Sequence, residues 1–204
     1  MKTLSTKLVL KAYMSGIFPM AKNREDPSVF WMDPEYRGII PLDSFHCSRR
    51  LTRKIRSGRF RICVNKSFGK VIRKCAERTV HRNETWINET IITAFEELHK
   101  IGNAHSVECW HADKLVGGLY GASIGAAFFG ESMFSIESDA SKIALVHLVK
   151  RLRAGAYTLL DTQFLTEHLA TFGGIELARH QYYNRLEFAL KRQATFYPRN
   201  SELL

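Results

Sequence analysis

Three consecutive strand-like runs constrain the fold of this chain more than any other feature. They cover residues 106–111, 114–124 and 126–134, and each is short, apolar and rich in aromatic or β-branched residues. The turn residues Ala112 and Asp113 join the first two runs. The pattern predicts an antiparallel meander at the centre of a sheet.

Helical periodicity flanks this meander on both sides. The predicted elements before and after it are a helix over 6–15, a strand over 59–64, helices over 66–76, 88–101 and 139–154, a strand over 157–163 and a short helix over 165–172. This order favours an α+β fold with an acyltransferase-like (GNAT-like) mixed sheet. Glycine and proline punctuation near the start predicts a small N-terminal α+β domain over 1–45, followed by the larger domain over 46–204.

Positive charge is concentrated in one part of the sequence. The chain carries a net charge of +10, and residues 49–78 hold twelve Lys or Arg against a single acidic residue, Glu77. Such a density favours contact with the phosphates of a nucleic acid, and a solvated basic face without a partner is the alternative. The predicted contact residues are Arg49, Arg50, Arg53 and Lys54.

Several classes of protein do not fit the sequence. No apolar run reaches the roughly 18 to 20 residues of a membrane span, and the N-terminus lacks a signal-peptide cleavage site, so we expect a cytoplasmic protein. The four cysteines have no CxxC spacing, which predicts reduced thiols and no metal site. No phosphate-binding GxxxxGK loop is present, and we expect no cofactor. A monomer is expected because no coiled coil or repeat demands a partner.

Glu131 lies in a strongly apolar stretch next to Phe128 and Met133. A buried carboxylate needs a partner, and two readings remain open. One is a structural ion pair with Lys142 or Arg179, and the other is recognition of an ammonium group.

Asp161 and Gln163 end the apolar strand predicted over 157–163, and the strand period places both on one face. Polar residues at a strand end often line a cleft, although many simply emerge into water. Other parts of the sequence favour a functional interpretation of Asp161 and Gln163. The runs at 13–20, 85–87, 104–108, 115–121, 129–135, 140–142 and 161–163 together resemble leucyl/phenylalanyl-tRNA protein transferases over nearly the full length.

This resemblance implies an enzyme that moves Leu or Phe from its tRNA to proteins with an N-terminal Arg or Lys and so marks them for degradation. It implies that Asp161 and Gln163 are the catalytic pair and that Glu131 is an active-site carboxylate. Trp86 would lie near the terminal adenosine, and Met20 stands where some relatives carry tryptophan. The implied apolar side-chain pocket consists of Phe128, Leu145, Leu148 and Leu160.

The chemistry suits an enzyme that acts as a template. The tRNA ester is already activated, and Gln163 would orient the attacking amine through its carbonyl oxygen while Asp161 fixes that amide or accepts the proton. An apolar pocket discriminates poorly between similar side chains, so methionine is also expected as a substrate.

Two other functions remain open. An acyl-CoA-dependent N-acetyltransferase would need a glycine-rich pyrophosphate turn before the helix at 139–154, where the sequence has Ser135 to Ser138 without glycine. A noncatalytic RNA-binding protein would use the basic stretch alone, and it would leave Glu131, Asp161 and Gln163 without a role.

Overall fold

The computed structural model describes residues 4–79 and 83–198. Within these residues the helices are α1 (Thr6–Met14), α2 (Arg49–Arg56), α3 (Phe68–Ala76), α4 (Glu89–Lys100), α5 (Ala140–Ala154), α6 (Glu167–Ala170) and α7 (Arg179–Leu190). The strands are β1 (Phe18–Met20), β2 (Phe30–Met32), β3 (Tyr36–Ile39), β4 (Arg61–Val64), β5 (Ala104–His111), β6 (Lys114–Ile124), β7 (Ala127–Ser135), β8 (Leu159–Gln163) and β9 (Ile175–Ala178). No helix of this part of the chain is long and apolar enough to cross a membrane.

A seven-stranded mixed sheet organises the molecule, with the strand order β4-β5-β6-β7-β8-β3-β9. The predicted meander is confirmed, because β5, β6 and β7 pair antiparallel with the short turn between β5 and β6. The pairing of β7 with β8 is parallel, and α5 makes the crossover between them. The mixed α+β sheet that the element order predicted is therefore confirmed.

Helices cover both faces of this sheet, since successive side chains of a strand point to opposite sides. Tyr120 and Phe129 belong to one hydrophobic cluster, with residues of α1, α3, α4 and α7. Leu119 and Phe128 belong to the other, with residues of α2 and α5. Gly117 lets α5 approach β6 closely, because a Cβ at this position would lie 2.5 Å from the Cβ of Ala140. Close packing thus accounts for this glycine in the middle of a strand.

The segment before residue 45 contributes more to the sheet than the sequence predicted. Strand β1 pairs with β2 in a separate two-stranded sheet. Strand β3 runs between β8 and β9 in the large sheet, although it precedes the boundary predicted between residues 45 and 46. That boundary stays a prediction. Strands of three or four residues carry too little periodicity to be recognised from sequence.

Candidate active site

A cavity of about 330 Å³ opens between the meander, α5 and the segment that follows β8. Its apolar lining consists of Trp86, Leu119, Met133, Leu145, Leu148, Leu160, Phe164 and Leu169. The polar side chains in its wall are those of Tyr120, Glu131, Ser132, Thr162, Gln163, Thr166 and His168. Apolar walls with a few convergent polar groups are typical of a small-ligand site.

Six of the predicted site residues line this cavity, and they come from four separate parts of the chain: Trp86, Glu131, Leu145, Leu148, Leu160 and Gln163. Three others lie outside it. Phe128 is fully buried and packs against Tyr157 and Phe196. Met20 lies in the small β1–β2 sheet, and Asp161 is buried behind the wall.

Glu131 presents one oxygen to the protein and leaves the other without a partner. Its Oε1 accepts hydrogen bonds from the hydroxyl of Tyr13 at 2.7 Å and from Nε2 of Gln163 at 2.9 Å. Its Oε2 is buried and has no hydrogen-bond partner among the described residues. An unsatisfied buried oxygen of this kind is costly unless a ligand completes it.

The two ion-pair partners considered for Glu131 are both engaged elsewhere. Lys142 lies 3.5 Å from Asp139, and Arg179 lies 3.2 Å from Asp33. The interpretation of Glu131 as half of a structural ion pair is therefore wrong. Its neutral partners are Tyr13 and Gln163, which come from α1 and β8.

The protonation of Glu131 changes near neutral pH. Burial raises the pKa of this carboxyl to about 8, and the charge of Asp161 adds to the rise. The hydrogen bond from Tyr13, the charge of Arg37 and the hydrogen bond from Gln163 oppose it. A carboxyl of this kind can hold or release a proton at physiological pH, which general acid–base chemistry requires.

Asp161 is saturated with hydrogen bonds. Its carboxylate accepts two hydrogen bonds from Arg37, from Nε at 3.0 Å and from Nη2 at 2.7 Å. It accepts two more, from the hydroxyl of Tyr182 at 2.7 Å and from the backbone N–H of Gln163 at 2.8 Å. The expectation that Asp161 fixes the side-chain amide of Gln163 is wrong, because that amide donates to Glu131. Gln163 adopts φ +59°, so the alternation that the strand pattern assumed ends at this residue.

The side-chain amide of Gln163 keeps an acceptor for a ligand. Its Nε2 is committed to Glu131, so its carbonyl oxygen is the atom available to accept a hydrogen bond from a molecule in the cavity. Sequence reasoning did not identify Arg37, Tyr13 or Tyr182 as site residues. Tyr13 lies in one of the runs that carried the resemblance, whereas a lone arginine in a four-residue strand gave no signal.

The predicted phosphate-contacting residues all lie on α2, where they divide into two groups. Lys54 bonds Asp139 at 3.0 Å, and Arg50 approaches the same carboxylate at 3.5 Å. Arg49 and Arg53, together with Thr52 and Arg56, border a shallow depression on the surface. In residues 4–79 and 83–198, no group of three or more His, Cys, Asp or Glu side chains is placed to hold a metal ion.

Comparison with known proteins matches the chain over most of its length. The model of the family described as leucyl/phenylalanyl-tRNA protein transferase matches residues 39–187, and the model of that family's N-terminal domain matches residues 2–35. A leucyl/phenylalanyl-tRNA–protein transferase of Maricaulis maris is 53% identical over 196 residues, which cover 96% of this chain and 91% of the relative. The enzyme of the same name from Paramagnetospirillum magneticum is 55% identical over 196 residues, covering 96% and 94%.

One solved structure also resembles the chain weakly. The structure of L-PGS from Bacillus licheniformis is 17% identical, covers 80% of this chain and 61% of its own, and superposes with a TM-score of 0.43.

Proposed function

The chain belongs to the leucyl/phenylalanyl-tRNA protein transferase family, and from this premise we propose that it moves Leu or Phe from aminoacyl-tRNA to the α-amine of proteins with an N-terminal Arg or Lys. Methionine is a weaker third substrate. The transfer marks the acceptor protein for degradation and takes place in the cytoplasm. The proposed enzyme acts as a monomer.

The unpartnered oxygen of Glu131 is the observation that carries this proposal. Glu131 is one of the residues that line the apolar cavity, beside Gln163, and an amine or ammonium group that reached this oxygen would satisfy it. The amide oxygen of Gln163 would accept a second hydrogen bond from the same nitrogen. Two acceptors side by side suit the attacking amine of a peptide, and the carboxylate form of Glu131 favours an acceptor that carries positive charge.

The apolar wall supports a hydrophobic aminoacyl group. Leu145, Leu148 and Leu160 surround the volume together with Met133 and Leu169, and no described charged side chain other than Glu131 lines it. One methylene more or less changes binding in such a pocket by about 1 to 3 kcal/mol. Leu and Phe are therefore preferred, Met is tolerated, and charged aminoacyl groups are excluded.

The reaction needs positioning and one proton transfer. The amine nitrogen bonds to the aminoacyl carbonyl carbon, the ester bond to the terminal ribose breaks, the nitrogen loses a proton and the ribose oxygen gains one. Gln163 orients the nitrogen, and the carboxylate form of Glu131 accepts its proton. A free α-ammonium has a pKa of about 7.7 to 8.0, close to the value of about 8 for Glu131, so the neutral amine that attacks is available at the pH where Glu131 is a carboxylate. Asp161 takes no proton in this proposal, because its carboxylate is already filled by Arg37, Tyr182 and the N–H of Gln163.

The experiment measures transfer of labelled leucine, phenylalanine, methionine and aspartate from their charged tRNAs to peptides beginning with Arg, Lys, Asp or Ala. Wild-type protein is compared with Glu131→Gln and with Glu137→Gln. Glu137 is a matched control, because it is a carboxylate outside the cavity that pairs with Arg59 and His111.

We expect leucine and phenylalanine transfer to the Arg and Lys peptides, a lower rate with methionine and none with aspartate. Glu131→Gln should lower kcat by about a hundredfold, within the range typical of a general base, and Glu137→Gln should leave it unchanged. Binding of charged tRNA without transfer to any peptide would instead support the noncatalytic RNA-binding function that the basic helix α2 suggests.

A further inference from the structure

We propose that Arg37 is a positioning residue for the transfer reaction, acting through Asp161 on the conformation of Gln163. The proposal rests on the proposed function, and it assigns a task to residues 4–39, none of which lines the cavity. Arg37 lies on β3, the short strand inserted between β8 and β9.

The buried side chain of Arg37 is fixed by aromatic rings and by hydrogen bonds. Its side chain is almost completely buried, and its guanidinium lies between the rings of Phe18 and Tyr182, at 4.4 Å and 4.6 Å from their centroids. Nε and Nη2 bond both carboxylate oxygens of Asp161, while Nη1 donates to the carbonyl of Gly16 at 2.9 Å. This two-pronged contact fixes the orientation of the carboxylate as well as its charge.

Asp161 transmits that orientation to Gln163. Its Oδ1 accepts the backbone N–H of Gln163 at 2.8 Å, two residues along the chain. Gln163 has φ +59°, a left-handed conformation that is unfavourable for a residue with a side chain. The hydrogen bond that the Gln163 N–H donates to Asp161 offsets this cost and holds Gln163 where its side-chain amide reaches Glu131.

The connections from Arg37 and Tyr13 meet at Gln163, the first at its backbone N–H through Asp161 and the second at its side-chain amide through Glu131. Tyr13 of α1 donates to Glu131, and Arg37 of β3 bonds the carboxylate that holds Gln163. The segment from α1 to β3 thus sets the positions of both groups proposed to hold the attacking amine. Packing of this segment against the sheet would then determine the geometry of the reaction rather than the affinity for tRNA.

A buried ion pair that only stabilises the fold is the competing explanation, and breaking such a pair is costly in either case. The two explanations differ in their kinetics. A positioning role lowers kcat while the KM for charged tRNA is retained, because the affected interaction is made in the transition state. It also makes the effects of changing Arg37 and Asp161 non-additive, since the first acts through the second.

The experiment compares Arg37→Lys, Asp161→Asn and the double variant by kcat, by KM for leucyl-tRNA and by thermal unfolding. Arg151→Lys is the matched control, because Arg151 also bonds a main-chain carbonyl, that of Phe196 at 2.9 Å, and lies over the Phe196 ring. Tyr182→Phe removes one bond to Asp161 without changing any charge, and it serves as the second variant if Arg37→Lys does not fold.

We expect Arg37→Lys to lower kcat at least tenfold with KM for leucyl-tRNA within threefold of wild type. The double variant should be no slower than Asp161→Asn alone, Tyr182→Phe should lower kcat about threefold to tenfold, and Arg151→Lys should resemble wild type. A kcat for a folded Arg37→Lys protein within threefold of wild type would overturn the proposal, as would effects that multiply in the double variant. If Arg37→Lys does not fold, unchanged kcat in Tyr182→Phe overturns it. Wild-type protein that transfers nothing would instead contradict the proposed function.

Discussion

Two buried carboxylates of this protein have opposite surroundings, although both lie on neighbouring strands of one sheet. Asp161 is surrounded by donors, among them the guanidinium of Arg37. Glu131 has two neutral donors on one oxygen and none on the other, and its pKa is raised to about 8. The arrangement assigns a structural hydrogen-bonding role to Asp161 and a titratable proton site to Glu131.

At the residue scale, Tyr13→Phe should move the pH dependence of transfer to higher pH. The hydrogen bond from Tyr13 lowers the pKa of Glu131, so its loss raises that pKa and leaves less carboxylate at pH 7. The rate at pH 7 should fall about threefold to tenfold and recover above pH 9, given tenfold per pKa unit. Steady-state rates with an Arg peptide between pH 6 and 9.5 measure the shift.

Tyr157→Phe is the control for this prediction. Tyr157 is also buried and makes one side-chain hydrogen bond, to Ser123, away from the cavity. The α-amine of the peptide titrates in the same range, but it is identical in every measurement and cannot produce a difference between variants. Superimposable profiles for Tyr13→Phe and wild type would contradict the role given to Glu131.

At the scale of the element, some basic residues of α2 attach the helix to the rest of the protein, whereas others border open surface. Lys54 and Arg50 form ion pairs with Asp139, the residue that precedes α5, and so attach α2 to that helix. Burial of Asp139 raises the pKa of its carboxyl, but these cations outweigh that effect, so the pKa is lowered. Arg49 and Arg53 border an open surface instead. The helix thus presents part of its charge to solvent at a fixed place relative to α5, whose residues line the cavity.

The double variant Arg49→Ala, Arg53→Ala should weaken tRNA binding and reduce its salt dependence. Each lost phosphate contact lowers the slope of log affinity against log salt by about 0.7 to 0.9, so two contacts lower it by about 1.5. Binding of leucyl-tRNA at several salt concentrations measures the change. Lys100→Ala, Lys191→Ala removes the same charge from exposed positions at the C-terminal ends of α4 and α7. Equal weakening by both pairs of substitutions would show a non-specific effect of net charge.

At the scale of the whole molecule, the raised pKa of Glu131 links stability to pH. Its value is about 8 in the folded protein against 4.5 for an ordinary glutamate, so the folded state holds this proton more tightly. The resulting contribution to stability is complete below about pH 4.5 and is lost as the pH rises through 8. Burial of the neutral acid is tolerated, whereas burial of the carboxylate without a ligand is costly.

Glu131→Gln should therefore lose less stability than wild type as the pH rises from 6 to 8. The difference should be about 2 kcal/mol, because one pKa unit corresponds to 1.36 kcal/mol. Urea unfolding at pH 6, 7 and 8 gives the free energy of unfolding of each protein. If the free energies of unfolding of wild type and Glu131→Gln changed equally with pH, Glu131 would titrate at an ordinary pH. That result would remove the physical basis of its proposed role.

Local sequence determined the elements with a sustained period. The strands of the meander, α4 and α5 each have at least eight residues, in which apolar positions recur at the period of a strand or a helix. Only one type of secondary structure places those apolar positions on a common buried face. The same alternation placed Glu131 among apolar side chains, and α5 presents Leu145 and Leu148 to the cavity.

Tertiary structure decided the parts that depend on residues distant in sequence. Arg37 meets Asp161 across 124 positions, and Tyr13 meets Glu131 across 118. Neither pair has a local signal, since β3 has only four residues and a charged residue in a short run is usually exposed. The partner of the Gln163 amide also changed from Asp161 to Glu131, because a left-handed backbone turns the side chain away from the face that strand alternation predicts. Sequence period specifies which residues a regular element buries, but only the assembled sheet specifies which buried polar groups meet.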